Sequence, residues 1–222
     1  MPRNNKHSFL YKNSLSIVFL LLAVISLICQ ACFGLQEYND FLTEHQKKQV
    51  SFLDYLGSGH FIQATFENWE SEFFQMGLFV WFTVFLRQRG SSESKKLSGK
   101  EEVDRQPKKH PNAPWPVRKG GIILTIYKHS LSFALMILFL ISFLFHWYGS
   151  HIDFNEKQIL EGKPTENMME YLANSKFWFE SFQNWQSEFL SVFAIIFLSI
   201  YLREISSPQS KPVDAPHYET GE

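Results

Sequence analysis

Residues 67–73 read ENWESEF, and 116 positions later the chain returns to the same theme as QNWQSEF over residues 183–189. Sliding the sequence by that offset pairs Tyr11-Lys12 with Tyr127-Lys128, Tyr55-Leu56 with Tyr171-Leu172, Trp69 with Trp185, Glu72 with Glu188 and Leu86-Arg87 with Leu202-Arg203, without a gap. About two dozen of the 85 positions from Tyr11 to Lys95 are identical to their counterparts. Self-similarity on this scale makes the halves two versions of one plan, so a fold suited to one must serve the other. Each half is an apolar segment, a polar connection, an aromatic-rich segment and a basic tail.

The averages conceal this. A net charge of -1 and a mean hydropathy of -0.15 look like those of a soluble domain, yet the apolar residues are gathered into blocks. Leu15–Leu35 and Leu131–Tyr148 are nearly uninterrupted apolar segments, close to the roughly 20 residues a helix needs to cross a bilayer. Phe73–Leu86 and Phe189–Leu202 are shorter, about 14 residues each, a length that also suits a buried core helix. The repeat decides the reading of the first segment. Its basic start at Arg3, Lys6 and Lys12 and the following CQACFG have the look of a cleaved secretory signal. Leu131–Tyr148 holds the same place in the second half, where cleavage gives no reason for it. The first segment is therefore read as a retained span.

Trp69 to Arg87 is 19 residues, about 28 Å as a helix, which matches a hydrocarbon core of about 30 Å. Trp69 and Trp185 then anchor one interface, and Arg87 and Arg203 the other. The expected fold is all-α: an integral membrane protein with four transmembrane helices, arranged as two tandem helical hairpins in a parallel repeat. Residues 1–95 form the first repeat, with spans at about 14–35 and 69–87. Residues 121–205 form the second, with spans at about 130–149 and 185–203. Between them lies a flexible cytoplasmic linker, 96–120, mixed in charge and rich in Pro, Gly and Ser; a cytoplasmic tail, 206–222, follows. With four spans, sixteen of the 21 Lys and Arg fall on the side of the termini and middle connection. The positive-inside rule places that side, with both termini, in the cytoplasm.

In the late helix of each half a polar face enters the apolar segment. Asn68, Ser71, Glu72 and Gln75 lie at i, i+3, i+4 and i+7, and Asn184, Ser187, Glu188 and Ser191 repeat the pattern. Two readings fit. The residues act as packing glue between helices, or the carboxylates line a wet cavity and handle an ion, a proton or a ligand. In the second case Glu72 and Glu188 would face each other across the pseudo-twofold axis, sharing a proton or binding a cation.

The remaining candidates carry less. Cys29 and Cys32 form a C-x-x-C near a span end and are read as small packing residues, with a disulfide as the alternative. His146 is expected at an interface. The eight His are scattered, so no metal is expected; no catalytic motif appears, and no cofactor is expected. In the connections Leu35, Tyr38, Phe41, Leu42 and His45 keep a helical period, as do Gln49, Phe52, Leu53 and Leu56. Gly57–Gly59 should break that helix, the next beginning near Phe61, while Asn174-Ser175 caps its counterpart. These connections should pack with the projecting ends of the late helices into a small external cap.

FENWESEF, LRQRGSSESK, FESFQNWQSEF and LREISSPQSKPVDAPHYETGE, with the spacing between them, resemble a bacterial family of small multi-pass membrane proteins known only as a domain of unknown function. The resemblance covers almost the whole chain; the first SSES lacks the proline that stands at Pro208 in the second half. It implies an inner-membrane location and a helical fold, and no activity. The expected function is that of a non-enzymatic structural or interaction component, its partners the lipid bilayer and a second copy or another membrane protein, with no nucleic acid. The alternative is a small channel or transporter using the paired glutamates.

Overall fold

A computed structural model describes residues 8–221. Arg3 and Lys6, counted above in the basic N-terminal tail, lie outside the described residues. Among the described residues every regular element is helical: α1 Phe9–Lys12, α2 Ser14–Glu44, α3 Phe52–Leu56, α4 Gly59–Phe82, α5 Trp115–Lys119, α6 Gly121–Lys128, α7 Ser130–Leu160, α8 Met168–Leu172 and α9 Ser175–Tyr201. α2 and α7 each run 31 residues. Their starts, those of α3 and α8, and those of α4 and α9 are all separated by the same 116 residues as the sequence match.

Local chemistry explains the coincidence. The Ser51 hydroxyl accepts from Asp54 N at 3.3 Å and donates to the Asp54 carboxylate at 2.6 Å, which starts α3. At the matching place Asn167 Oδ1 accepts from Met169 N and Glu170 N, while Glu170 Oε2 accepts from Asn167 N, which starts α8. Gly57 is the C-cap of α3, and α4 begins at Gly59 with Ser58 Oγ accepting from Phe61 N. Asn174 caps α9 in the same way, through Lys176 N at 2.9 Å.

Helix lengths depart from the expected spans. α2 and α7 continue well past residues 35 and 149, to Glu44 and Leu160. α4 stops at Phe82, five residues short of Arg87, and α9 stops at Tyr201. Thr83 Oγ1 turns back to Val80 O at 2.9 Å, and Arg87 Nη1 donates to Thr83 O, Val84 O and Leu86 O, so side chains take the carbonyls a longer helix would have used. By length and apolarity α2 and α7 qualify to cross a membrane; α4 and α9 are not apolar enough to pass the same test. In the most apolar window of α2 only 6% of residues are buried, and in that of α7 17%.

Among the described residues two compact units are present, one built of the chain up to Thr65 together with Phe145–Leu172, the other of Phe66–Leu144 and Ala173 onward. In the first, Tyr38, Leu42 and Tyr55 form a core against which Leu35, Phe41, Val50 and Phe61 pack. The sequence periodicity had placed most of these together. At Gly34 a Cβ would fall 2.1 Å from Tyr55 Oη, so a larger residue there would displace the phenol. Ser150 holds the matching position in the second half, and its hydroxyl instead hydrogen-bonds Tyr171 Oη at 2.6 Å. Gly59 and Gly149 let α4 and α7 approach closely: a Cβ on Gly149 would meet Gln63 N at 2.5 Å, and one on Gly59 would meet Asp153 N at 2.5 Å. Asn39 clamps the loop after α2, donating to Val50 O at 3.1 Å and accepting from Val50 N at 2.8 Å. Asn155 does the same to Glu166, at 2.8 and 2.9 Å.

The second unit holds most of α4, the first part of α7, and α9, with Phe74 packed on Phe139, Trp185 and Phe189. Residues 96–120, expected to be a flexible linker, carry local structure: a 3-10 turn at Glu102–Asp104 closed by reciprocal Glu101 and Asp104 bonds, a Lys95–Asp104 ion pair at 2.7 Å, and α5. Polar side chains make these turns, so no apolar period announces them. The C-terminal tail folds onto the same region, with Gly90 N donating to Thr220 Oγ1 at 2.8 Å and Gly221 N to Ser91 O at 3.1 Å.

Candidate functional site

The polar turns of α4 and α9 lie within the second unit. α4 brings Glu67, Asn68, Trp69, Glu70, Ser71, Glu72 and Gln75 into one two-turn stretch; α9 brings Glu180, Asn184, Trp185, Ser187, Glu188 and Ser191. Asn184 Nδ2 donates to Glu67 Oε1 and also to Glu180 O at 3.1 Å. Trp185 Nε1 donates to Glu70 Oε1 at 3.0 Å. Lys176 Nζ pairs with the Glu180 carboxylate one turn further along α9. The carboxyl groups of Glu72 and Glu188 lie close enough to act on each other electrostatically. Two neighbouring carboxylates repel each other unless a proton or a cation lies between them, so the pair is chemically able to share either.

The structure therefore divides the expected polar stripes. Glu72 and Glu188 come together, and Asn184 reaches α4. Ser71 and Gln75 are buried, whereas Asn68, Ser187 and Ser191 are exposed and Asn184 and Glu188 half-buried. Ser71, Ser187 and Ser191 donate to carbonyls of their own helices, those of Asn68, Asn184 and Glu188, at 2.8 to 2.9 Å. Those hydroxyls are local partners of the backbone. Trp69 is 43% exposed, in keeping with an interfacial ring, but Trp185 is tied to Glu70 through its nitrogen.

Sequence reasoning missed Glu67 and Glu70, the second of which is fully buried. A signal was available: they stand where the second half has Gln183 and Gln186, so the halves differ in charge at the two positions that reach α9. Two other expectations fail. Cys29 and Cys32 are neither packed nor bridged, since both are exposed free thiols. His146, expected at an interface, is fully buried.

Polar contacts of a different kind appear in the first unit. His60 Nε2 stands 3.3 Å from Glu37 Oε2, and its Nδ1 is 3.1 Å from Tyr55 Oη. Tyr38 donates to Glu156 Oε1 at 2.6 Å. Burial, then the charges of Glu37 and Asp153, pushes the Tyr55 phenol up to about 12. Its hydroxyl is thus held neutral as a packing and hydrogen-bonding group.

Among the described residues the regular elements are helices, two of them long and apolar enough to cross a membrane, which defines an all-α protein. Residues 6–222 match the family model described as Domain of unknown function (DUF6766), and the chain belongs to that family. No curated protein and no solved structure matches it.

Proposed function

We propose that the chain is a four-span integral protein of the bacterial inner membrane, with both termini cytoplasmic, acting as a non-enzymatic structural or interaction component. The observation that carries this reading is the apolar surface of α4 and α9. Met76, Trp81, Phe82, Phe189, Phe193, Ile195 and Phe197 are exposed, as are many apolar residues of α2 and α7. In water such a surface would be unfavourable by about 25 cal/mol per Å²; in a bilayer it is the expected exterior. Glu67 and Glu70 of α4 are engaged with Asn184 and Trp185 of α9, as in helix association within lipid. The partners under this reading are the bilayer itself and a second copy or another membrane protein.

Single cysteines test the topology in a chain whose Cys29 and Cys32 are replaced by Ser. Ser92→Cys and Ser207→Cys should react with an impermeant maleimide only after the cells are opened, and Thr165→Cys should react in intact cells. Labelling of Ser92→Cys and Ser207→Cys from opposite sides would end the four-span reading.

A second reading is favoured by the Glu72–Glu188 contact: a small channel or transporter in which this pair holds a proton or cation. Ion or proton flux into liposomes that is present in the wild type and absent from the Glu72→Gln, Glu188→Gln double variant supports it. Flux that persists in that variant removes the pair from any conduction path.

A further inference from the structure

Arg87 and Arg203 occupy matching positions of the repeat, and each sends Nη1 back to carbonyls four, three and one residues earlier. Their other donors part company. Arg203 Nε donates to Pro212 O at 3.2 Å and Nη2 to Ala215 O at 3.0 Å, so the C-terminal tail fills the open side of its fork. Among the described residues no tail carbonyl does this for Arg87. Instead Arg87 stands at the rim of a cavity of about 330 Å³ between α4 and α9, walled by Leu78, Phe79, Phe82, Phe189, Phe193 and Ile196. Gln88, Glu93 and Ser94 complete the polar rim.

We propose that Arg87 and this cavity hold one membrane phospholipid, the guanidinium on its phosphate and an acyl chain along the phenylalanines. Arg87 makes its helix-end bonds through Nη1, which leaves Nε and Nη2 of a planar guanidinium that suits a tetrahedral oxyanion, with Asp104 near enough to feel its charge. The walls below it are apolar, and the volume falls at the lower end of the range of small-molecule sites. A phosphate joined to a long hydrocarbon is the membrane component that matches both. The second half needs no such ligand, because its own tail supplies the oxygens. The site rests on the four-span reading, which sets the ends of α4 and α9 at the cytoplasmic leaflet.

The full-length chain, purified in detergent and washed free of lipid, is incubated with phosphatidylethanolamine or phosphatidylglycerol, and bound lipid is counted by native mass spectrometry. Wild type should retain one molecule of either, since the phosphate is common to both. Arg87→Gln should cut retention on the order of tenfold, the loss expected for a charge-assisted contact. Arg203→Gln, which removes the same helix-end bonds, should leave retention unchanged. Val192→Trp, which fills the cavity and spares Arg87, should abolish it, and this result decides the matter if Arg87→Gln alters the helical circular dichroism. Equal retention by wild type and Val192→Trp, or equal loss in Arg87→Gln and Arg203→Gln, overturns the site. Carbonate extraction of the same membranes separates the two claims. A chain released by carbonate overturns the four-span reading, while one that stays but binds no lipid through Arg87 overturns the lipid site alone.

Discussion

Asn39 and Asn155 are identical in the two halves because each satisfies both backbone groups of one residue in the following loop. The carboxamide offers a donor and an acceptor at that spacing, on a stem one methylene shorter than that of Gln. Asn39→Ala should lower stability by about 1–3 kcal/mol, since Val50 N and O lose their partner, and thermal unfolding in detergent would register it. Asn39→Asp, which keeps only the acceptor, should fall between. Tyr55 supplies a pH signature. The unfolded phenol ionises near 10 and the folded one near 12, so its contribution is complete below pH 10 and is lost as pH rises toward 12. Stability measured by denaturant titration should fall in that window, and fall less steeply in Tyr55→Phe. A slope unchanged by the substitution would show that another group titrates there. The tyrosines were visible in the sequence as a matched pair; that one packs on a glycine and the other on a serine was not, because that depends on the partner helix.

At the scale of elements, the starts of the helices are set most locally, and of these the break at Gly57–Gly59 and the cap at Asn174 were expected. Ser51, Ser58, Asn167 and Asn174 act within a few residues of themselves, and the capping oxygen and its amide are near neighbours in any fold. Ends were harder to read. An apolar run continues through Leu86, yet α4 stops at Phe82 because Thr83 and Arg87 return their side chains to the backbone. The crossing of α4 and α7 offers a direct test. Gly149→Leu places side-chain atoms where Gln63 N already stands, and backbone cannot give way as a flexible side chain would. Such overpacking should cost about 1–3 kcal/mol, read as a lower unfolding temperature, whereas Gly162→Ala, with open space around its Cβ position, should cost only the strain of its positive φ.

For the molecule as a whole, the tail is more than an appendage. Thr220 and Gly221 bond the loop that follows α4, and Pro212 and Ala215 cap Arg203 at the end of α9. A chain ending at Ser210 should therefore be cut by trypsin at Lys95 and Lys96 faster than the full-length protein; equal rates would mean the tail does not protect that loop. The sequence by itself determined the duplicated plan, the helix starts and the two most apolar helices, because each depends on neighbours along the chain or on composition. Only the tertiary structure decided that Glu67 meets Asn184, Glu70 meets Trp185 and Glu72 meets Glu188. Their helices are apolar around much of their circumference, so hydrophobic period leaves the rotation of α4 against α9 open. Packing of Phe74 on Trp185 and Phe189, more than a hundred residues away, sets it.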